Sequence, residues 1–327
     1  MKGQLYTLEE VIAFIKQGFV LSVAGDENIL KQLPLGNWIG GTIPYFMDSD
    51  KGKLNTDLIF VNRLTVQDNS FKILVYNEDN ISNIVMNSYD NGYTLIIIPP
   101  FQKVHENYAL QAEDLDGIYN NPIVGWIAGT DLNGNDIPKT FNGLTGETYE
   151  DKAIAIHVEL PENQFAQLDI VNIFDTDKNT DEIKFYSDSF EVSSCMINGK
   201  DTNFAEYILA NNIDTKFPLT ADYSGASINV SIKEVNNESE KVSFFAPVFK
   251  SKTYHFSKPL DNYVQRFENQ TKELSEDSEF SCLCILNYVY GELENKTIAN
   301  FTGPATFGEV AYVLLNQTLV TLNINEI

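Results

Sequence analysis

Two short segments, GNWIGGTIPYF (36–46) and VGWIAGTDL (124–132), contain the two tryptophans of this 327-residue chain. Each tryptophan opens the same phrase, Trp-Ile-Gly/Ala-Gly-Thr. Each phrase also ends the same series of segments: a helix-like stretch, a glycine before an aromatic residue, an apolar run and a polar connection. The two phrases therefore indicate an internal repeat, and a chain of this length can hold both copies.

The segments around the tryptophans predict the elements of each repeat. The second copy has the longer polar connection, 101–121. In the first copy, Thr7 and Glu10 have the spacing of a helix capping box. Each copy has a helix, an apolar strand and, after the phrase, an alternating strand: 7–18, 19–25 and 56–64 in the first, and 80–92, 93–100 and 152–160 in the second. The copies cover about 1–78 and 79–175.

The rest of the chain, 176–327, is rich in strand patterns and contains few helices. Helical spacing occurs over 201–212 and 259–274. Strand patterns occur over 226–235, 241–249, 279–291 and 317–324. The sequence therefore predicts an α+β fold with mixed sheets, in which two tandem α/β repeats over 1–175 are followed by a strand-rich half.

The composition excludes several classes of function. Acidic residues outnumber basic ones 46 to 22, for a formal net charge of −24. Phosphate backbones and anionic lipids would be repelled, so we expect neither a nucleic-acid nor a membrane partner. No run of about 18 apolar residues and no signal-peptide pattern occurs. Three cysteines are too few for a disulfide framework, so we expect a cytoplasmic protein.

Metal and cofactor binding find little support in local motifs. Segments 48–53, 131–136 and 175–182 have oxygen ligands and resemble parts of a calcium loop. The last of these has Thr180 and Tyr186 where an EF-hand needs Gly and Glu. We interpret all three as polar turns and predict no metal and no cofactor.

Catalytic motifs are equally sparse. The chain has no Gly-x-Ser-x-Gly elbow and no phosphate-binding glycine loop. His157 lies in an alternating strand, and Cys282 and Cys284 lie in an apolar one, which favours core positions. We predict no catalytic residue. A hydrolase-like enzyme with His157 or a cysteine as its reactive group stays an alternative.

Small residues mark the candidate binding site. Gly40-Gly41-Thr42 and Ala128-Gly129-Thr130 each follow the tryptophan strand, and small side chains there allow a ligand or another strand to approach closely. Packing of one repeat on the other is the competing interpretation. A third Gly-rich segment, FTGPATFGEV (301–310), carries an acid at Glu309.

Several segments together resemble a known family. They are VLSVAGDENILKQLPLGNWIGGT, IVGWIAGTD, MINGKDTNFAEYI, FSCLCILNYVYG and FGEVAYVLLNQTLVTLNI. The last, with Gly308-Glu309 and Asn316-Gln317-Thr318, is the most informative. In their order along the chain these segments resemble the FIST domain, a sensory module of bacterial and archaeal signalling proteins, with 1–175 similar to its N-terminal and 176–327 to its C-terminal part. The resemblance implies non-catalytic sensing of a small polar metabolite such as an amino acid, and a separate signalling partner.

We therefore expect one cleft that binds a small polar ligand. Backbone N–H groups of the two phrases would hold an anionic or zwitterionic group, since glycine leaves them uncovered. Glu309 would pair with a ligand ammonium, and Asn316 would add a hydrogen bond. The expected site residues are Gly40, Gly41, Thr42, Ala128, Gly129, Thr130, Glu309 and Asn316. A third hypothesis, a ligand-free interaction scaffold, predicts an exposed apolar patch and no polar pocket.

Overall fold

A computed structural model describes residues 3–67, 70–223, 225–275 and 277–327. The chain divides into two compact units. The first comprises Met1–Val171, Val264–Leu314 and Leu319–Ile327, and the second comprises Asn172–Tyr263 and Leu315–Thr318. The sequence predicts an N-terminal region, 1–175, and a C-terminal region, 176–327. This division stays a prediction.

The first compact unit contains three six-stranded sheets and most of the helices. Its helices are α1 (Leu8–Lys16), α2 (Glu27–Leu30), α3 (Lys103–Gln111), α5 (Tyr263–Thr271) and α6 (Ile285–Tyr290), with 3-10 helices at Ile81–Ile84 and Ala112–Asp114. Its strands are β1 (Gln4–Tyr6), β2 (Val20–Gly25), β3 (Trp38–Thr42), β4 (Tyr45–Met47), β5 (Gly52–Leu54), β6 (Ile59–Leu64), β7 (Phe71–Tyr76), β8 (Gly92–Ile98), β9 (Ile123–Ile127), β10 (Thr140–Asn142), β11 (Glu147–Tyr149), β12 (Ala153–Glu159), β13 (Gln164–Asn172), β23 (Phe280–Cys284), β24 (Gly303–Thr306), β25 (Glu309–Ala311), β26 (Val313–Leu315) and β27 (Thr318–Glu326).

The second compact unit is built mainly from antiparallel strands. Its helix is α4 (Phe204–Ala210). One sheet has the order β17-β16-β14-β22-β18-β19 and the other β15-β21-β20. The strands are β14 (Ile183–Lys184), β15 (Ser189–Val192), β16 (Ser194–Ile197), β17 (Lys200–Asn203), β18 (Leu219–Tyr223), β19 (Ala226–Val230), β20 (Ile232–Asn236), β21 (Lys241–Val248) and β22 (Tyr254–Phe256).

The first sheet, β1-β6-β2-β3-β10-β11, contains the first tryptophan. Strands β2 and β3 run parallel, and β6 and β10 flank them antiparallel. Helix α1 covers one face with Val11 and Ile15, which are one turn apart and pack on Leu21 and Trp38. The predicted capping box at the start of this helix is confirmed, because Thr7 and Glu10 bond each other's backbone.

The second sheet, β26-β25-β9-β8-β12-β7, has the same arrangement around the second tryptophan. Strands β8 and β9 run parallel, and β12 and β25 flank them antiparallel. Neither sheet comes from one contiguous segment, because β10 and β11 (140–149) join the first sheet, and β25 and β26 (309–315) join the second. The internal repeat with its boundary near residue 78 therefore stays a prediction.

The connections contain helices that the sequence pattern did not reveal. The sequence predicts a polar link over 101–121, but this segment holds α3, because a parallel pair such as β8 and β9 needs a crossover that is usually helical. The helix predicted over 80–92 is wrong, since that stretch contains the short 3-10 helix at Ile81–Ile84. Segment 279–291 is strand only as far as Cys284 and continues as α6.

The predicted α+β fold class with mixed sheets is confirmed. The third sheet of the first unit, β13-β27-β23-β24-β4-β5, likewise combines parallel and antiparallel neighbours. Across the described ranges, no helix is both long and apolar enough to cross a membrane.

Candidate functional site

The two tryptophan phrases meet at the carboxyl ends of their strands. The Gly129 N–H, two residues beyond β9, donates to the Thr42 carbonyl at the end of β3, at 2.7 Å. On the first sheet Thr42 lies beside Gly25, the last residue of β2. On the second sheet the Ala128 N–H donates to the carbonyl of Ile98, the last residue of β8. The ends of both parallel pairs therefore share one edge, which is where α/β sheets commonly bind ligands.

A cleft of about 230 Å³ opens at this edge. We call it the acidic cleft, because four of its lining residues are Asp or Glu and none is Lys, Arg or His. The lining residues are Asp26, Glu27, Asn28, Thr42, Ile43, Pro44, Thr56, Gly129, Thr130, Asp131, Asp136 and Ile137.

Local turns hold two of the carboxylates in place. Asp26 follows β2 and caps α2, where its Oδ1 accepts the Asn28 N–H at 2.8 Å. Asp131 Oδ1 accepts the Asn133 N–H at 2.9 Å and the Tyr45 hydroxyl at 3.0 Å. These two donors stabilise the ionised form and lower the pKa of Asp131 below its ordinary value. Asp131 is therefore a carboxylate at neutral pH.

The charge of Glu27 is already compensated within the protein. The Lys139 Nζ lies 2.7 Å from Glu27 Oε1 and 3.3 Å from Glu150 Oε1, and Lys31 also pairs with Glu27. Asp136, in contrast, is exposed at the cleft rim, where its backbone carbonyl accepts the Thr130 hydroxyl at 3.3 Å. The negative charge that faces the cleft therefore comes mainly from the three aspartates.

Three of the eight expected site residues line the acidic cleft: Thr42, Gly129 and Thr130. Their expected chemistry differs from what the geometry offers. The N–H groups of Thr42, Ala128 and Gly129 donate to the carbonyls of Lys139, Ile98 and Thr42. Backbone donors engaged in this way cannot also hold a ligand anion, and the lining side chains would repel one. The lining of this cleft therefore does not suit the anionic group that the sequence predicted there. It forms an acidic surface instead.

The glycines are required by packing. A Cβ on Gly41 would lie 2.7 Å from both the Trp126 ring and Ile97, and one on Gly129 would lie 2.4 Å from the Phe307 ring. Gly40 has a similar restriction from Val23, at 2.8 Å. Gly40, Gly41 and the fully buried Ala128 are not among the lining residues. Close approach of neighbouring side chains accounts for these glycines. The competing interpretation, packing of one repeat on the other, stays a prediction.

Glu309 and Asn316 are buried away from the cleft. Glu309 on β25 is 0% exposed and lies opposite Trp126 in the antiparallel pair. Asn316 is 1% exposed and belongs to the second compact unit, where its backbone carbonyl accepts the Asn229 amide at 3.2 Å. Neither residue is part of the cleft lining, so the roles expected for their side chains do not apply to it.

Sequence reasoning missed the acidic residues of the cleft. Two features of the sequence point to them: Asp26 directly follows a buried strand, and 131–136 has the composition of an oxygen-rich turn. That turn closes by a hydrogen bond from the Gly134 N–H to the Asp131 carbonyl at 2.9 Å. Of the residues with described positions, no three among His, Cys, Asp and Glu are grouped closely enough to hold a metal ion.

His157 belongs to a buried hydrogen-bond chain. Its Nε2 lies 2.7 Å from the Tyr76 hydroxyl and its Nδ1 lies 2.8 Å from the Thr94 hydroxyl. Asn87 donates to the Tyr76 hydroxyl at 3.1 Å and extends the chain. In the neutral imidazole one ring nitrogen donates and the other accepts, so the Tyr76 and Thr94 hydroxyls satisfy both. Burial, aided by Lys72 on the neighbouring strand, lowers the pKa of His157 to about 3. The imidazole is a neutral internal link, 0% exposed.

The cysteines are equally inaccessible. Cys195, Cys282 and Cys284 are buried free thiols. Burial raises the pKa of the Cys282 thiol well above its ordinary value, and Glu309 adds to the effect. A thiol with a raised pKa and no exposure is a poor nucleophile. The groups named for the hydrolase alternative are therefore all buried.

Comparison with known proteins corrects the family assignment. The model of a family of unknown function, DUF6976, matches residues 6–325. No curated protein and no solved structure matches the chain. The FIST resemblance is wrong: it rested on short motifs such as Asn198-Gly199, which occupies a hairpin turn with positive φ at both residues. Such motifs follow turn geometry and recur in unrelated folds. The chain belongs to DUF6976, a family of unknown function.

Proposed function

We propose that this protein binds a small polar molecule with an ammonium group in the acidic cleft, without catalysing a reaction on it. One observation carries the proposal: the carboxyl ends of β3 and β9 are joined by the Gly129–Thr42 hydrogen bond, and aspartates surround the cleft that opens there. Carboxylates stabilise a bound cation through charge-assisted hydrogen bonds.

The size and lining of the cleft favour a small ligand. Its volume, about 230 Å³, is below the range of drug-sized pockets. Hydroxyl groups of Thr56 and Thr130 and the amide of Asn28 line the same space and offer hydrogen bonds to other polar groups of the ligand. An amino acid or a short primary amine meets both conditions, with its ammonium group directed to the aspartates. The sensory and signalling role depended on the FIST resemblance and is not proposed.

Isothermal titration calorimetry with a panel of small ligands tests this proposal. The panel pairs amines with matched compounds that lack the charge: glycinamide, glycine, ethanolamine and lysine against acetamide and acetate. We expect saturable binding only for members with an ammonium group. We expect Asp136→Asn to weaken it by ~10-fold, as the loss of one charge-assisted contact predicts.

Asp90→Asn is the matched control. Asp90 is exposed, lies outside the lining of the cleft and loses the same charge on substitution. The proposal would have to be abandoned if no ammonium compound bound the folded protein, or if Asp136→Asn and Asp90→Asn had equal effects. No observation on the described residues favours the hydrolase or the scaffold alternative over binding.

A further inference from the structure

Arg63, one of two arginines in the chain, occupies a position where the strand pattern calls for an apolar residue. Alternate residues of β6 share a face, and Ile59 and Val61 on that face belong to the core under α1. Arg63 continues the same alternation and lies opposite Leu21 in the antiparallel pair. Its aliphatic stem therefore extends the core face, while its charged end reaches the rim of the sheet.

The Arg63 guanidinium is held flat on an aromatic ring. Its central carbon lies 3.3 Å from the centroid of the Phe19 ring. Phe19 packs against the core under α1, with its ring centroid 6.1 Å from that of Phe14. A guanidinium stacked by its face keeps its N–H edge available for hydrogen bonds in the plane. Such an edge matches the two oxygens of a carboxylate or a phosphate.

Within the described ranges that edge has no acidic partner: no carboxylate there forms an ion pair with Arg63, and the Phe19 stack is the interaction that holds its guanidinium. The nearby acid Glu279 is directed elsewhere: it accepts bonds from the Tyr93 hydroxyl at 2.9 Å, the Thr65 hydroxyl at 3.0 Å and the Thr65 N–H. The chain has a net charge of −24, so an arginine without an ion pair forms a local positive charge on a mainly negative protein.

A cavity of about 310 Å³ opens beside the guanidinium. Arg63, Phe19, Thr65 and Gly18 are among its lining residues. Gly18 has φ of 82°, and no atom lies within 4 Å of the place where its Cβ would be, so the cavity is open on that side. Of the lining residues whose positions the structure describes, Arg63 is the charged one. The cavity therefore has the opposite electrostatic character to the acidic cleft.

We propose that this cavity, the Arg63 pocket, binds an oxyanion, either a carboxylate or a phosphate, through the N–H edge of the stacked guanidinium. The bond is bidentate, with Phe19 fixing the plane of the fork before the ligand arrives. This inference is independent of amine binding at the acidic cleft, because the two sites share no lining residue. The competing explanation is that Arg63 only covers the Phe19 ring, and it predicts no anion binding.

A two-dimensional amide NMR titration tests the proposal. The probes are inorganic phosphate and acetate, added separately at constant ionic strength with chloride as the balancing ion. A single bidentate contact supports affinity of about 1 mM, so saturation is expected within tens of millimolar. We expect saturable shifts at residues 18–20 and 63–66 with at least one probe. Phosphate alone, acetate alone or both identify the class of oxyanion.

Three variants separate recognition from packing. Arg63→Met keeps much of the stem and removes the charge, and we expect it to abolish the saturable shifts. Arg63→Lys keeps the charge but loses the fork, and we expect binding to weaken several-fold. Arg266→Met, at the other arginine, is the control and leaves the shifts unchanged. Saturation by neither probe in the wild type, or equal saturation in Arg63→Met, overturns the proposal. If Arg63→Met does not fold, the proposal is tested by saturation in the wild type and by weaker binding in Arg63→Lys.

Discussion

The buried His157 should make the stability of the first compact unit depend on pH. Its pKa is lowered to about 3 in the folded protein, against an ordinary value of 6.5. The folded protein therefore favours the neutral imidazole, and the unfolded chain binds a proton that the folded protein excludes between these two values. Its stabilising effect is complete above pH 6.5 and is lost as the pH falls towards 3.

The magnitude follows from the same two pKa values. Between them, the free energy of unfolding falls by up to about 1.4 kcal/mol for each pH unit. From pH 7 to pH 4.5 the loss from His157 alone is about 2.5 kcal/mol. Protonation would also give the imidazole two N–H donors, facing the Tyr76 and Thr94 hydroxyls, where the neutral ring has one donor and one acceptor.

His157→Gln removes this titration while keeping a polar side chain. We expect the variant to be less stable than the wild type at pH 7, because bonds to Tyr76 and Thr94 are lost or weakened. On acidification it should lose less stability than the wild type, by about 2.5 kcal/mol between pH 7 and pH 4.5. Urea unfolding at several pH values, followed by tryptophan fluorescence, measures this difference, since Trp38, Trp126 and His157 all lie in the first unit.

His255→Gln is the control. His255 belongs to the second compact unit, so we expect this variant to keep the wild-type pH dependence of the tryptophan signal. The other titrating groups are common to all three proteins and cancel in the comparison. The reasoning is refuted if the free-energy curves of wild type and His157→Gln run parallel from pH 7 to pH 4.5.

Three further predictions concern packing, capping and thiol reactivity. Gly41→Ala places a Cβ against Trp126, and we expect urea unfolding to show a loss of about 1–3 kcal/mol from overpacking. Thr7→Ala removes the capping box with Glu10 and should cost about 1 kcal/mol in the same assay. The three cysteines should react with Ellman's reagent only after denaturation, because all are buried.

Each of these predictions has a definite contrary result. Gly18→Ala is the contrast for Gly41→Ala, because no atom would contact its Cβ and its cost would come from its backbone φ of 82° alone. A wild-type stability for Gly41→Ala would contradict the packing argument. Stability unchanged in Thr7→Ala would contradict the contribution of the cap, and rapid labelling of a thiol in the native protein would contradict the burial.

The opposite charges of the two proposed sites allow both binding proposals to be tested together. The acidic cleft should take an ammonium group and reject acetate, whereas the Arg63 pocket should take an oxyanion and not a simple amine. Raising the salt concentration should weaken both, as it screens charges in exposed sites. Residues at the cleft and residues 18–20 and 63–66 report the two sites separately in one NMR spectrum.

Local patterns predicted those features that depend on neighbours in sequence. The Thr7–Glu10 spacing gave the cap of α1, and alternation gave β6 and β12. The same reasoning failed for α3, whose buried residues Val104, His105, Tyr108 and Ala109 lie on one side of a helix in a segment that looks polar. The segment looks polar because most of its residues are not buried. The few buried residues do not change its average hydropathy enough to be noticed.

The wrong family assignment and the missed carboxylates of the cleft have different physical reasons. Short Gly-containing motifs are set by turns and close packing, so they carried little information about the family. The cleft is formed by contacts between residues that are far apart in sequence. For example, the Lys139 ammonium pairs with Glu27, and the Lys139 N–H donates to the hydroxyl of Thr42, 97 residues earlier. The carboxylates were visible in the sequence, but they were among many in an acidic chain.

By itself, the sequence determined the α+β class, the helix cap, the buried strands and the repeated Trp-Ile-Gly/Ala-Gly-Thr phrase. Only the tertiary structure decided that β10–β11 and β25–β26 complete the two sheets, that Gly129 bonds to Thr42, and that Glu309 is buried instead of lining the cleft. The alternation of a strand arises from the local pleat of its backbone, so a short stretch of sequence is enough to show it. Strand neighbours and cleft walls arise from burial and hydrogen bonding between distant segments, which leave no pattern within either segment.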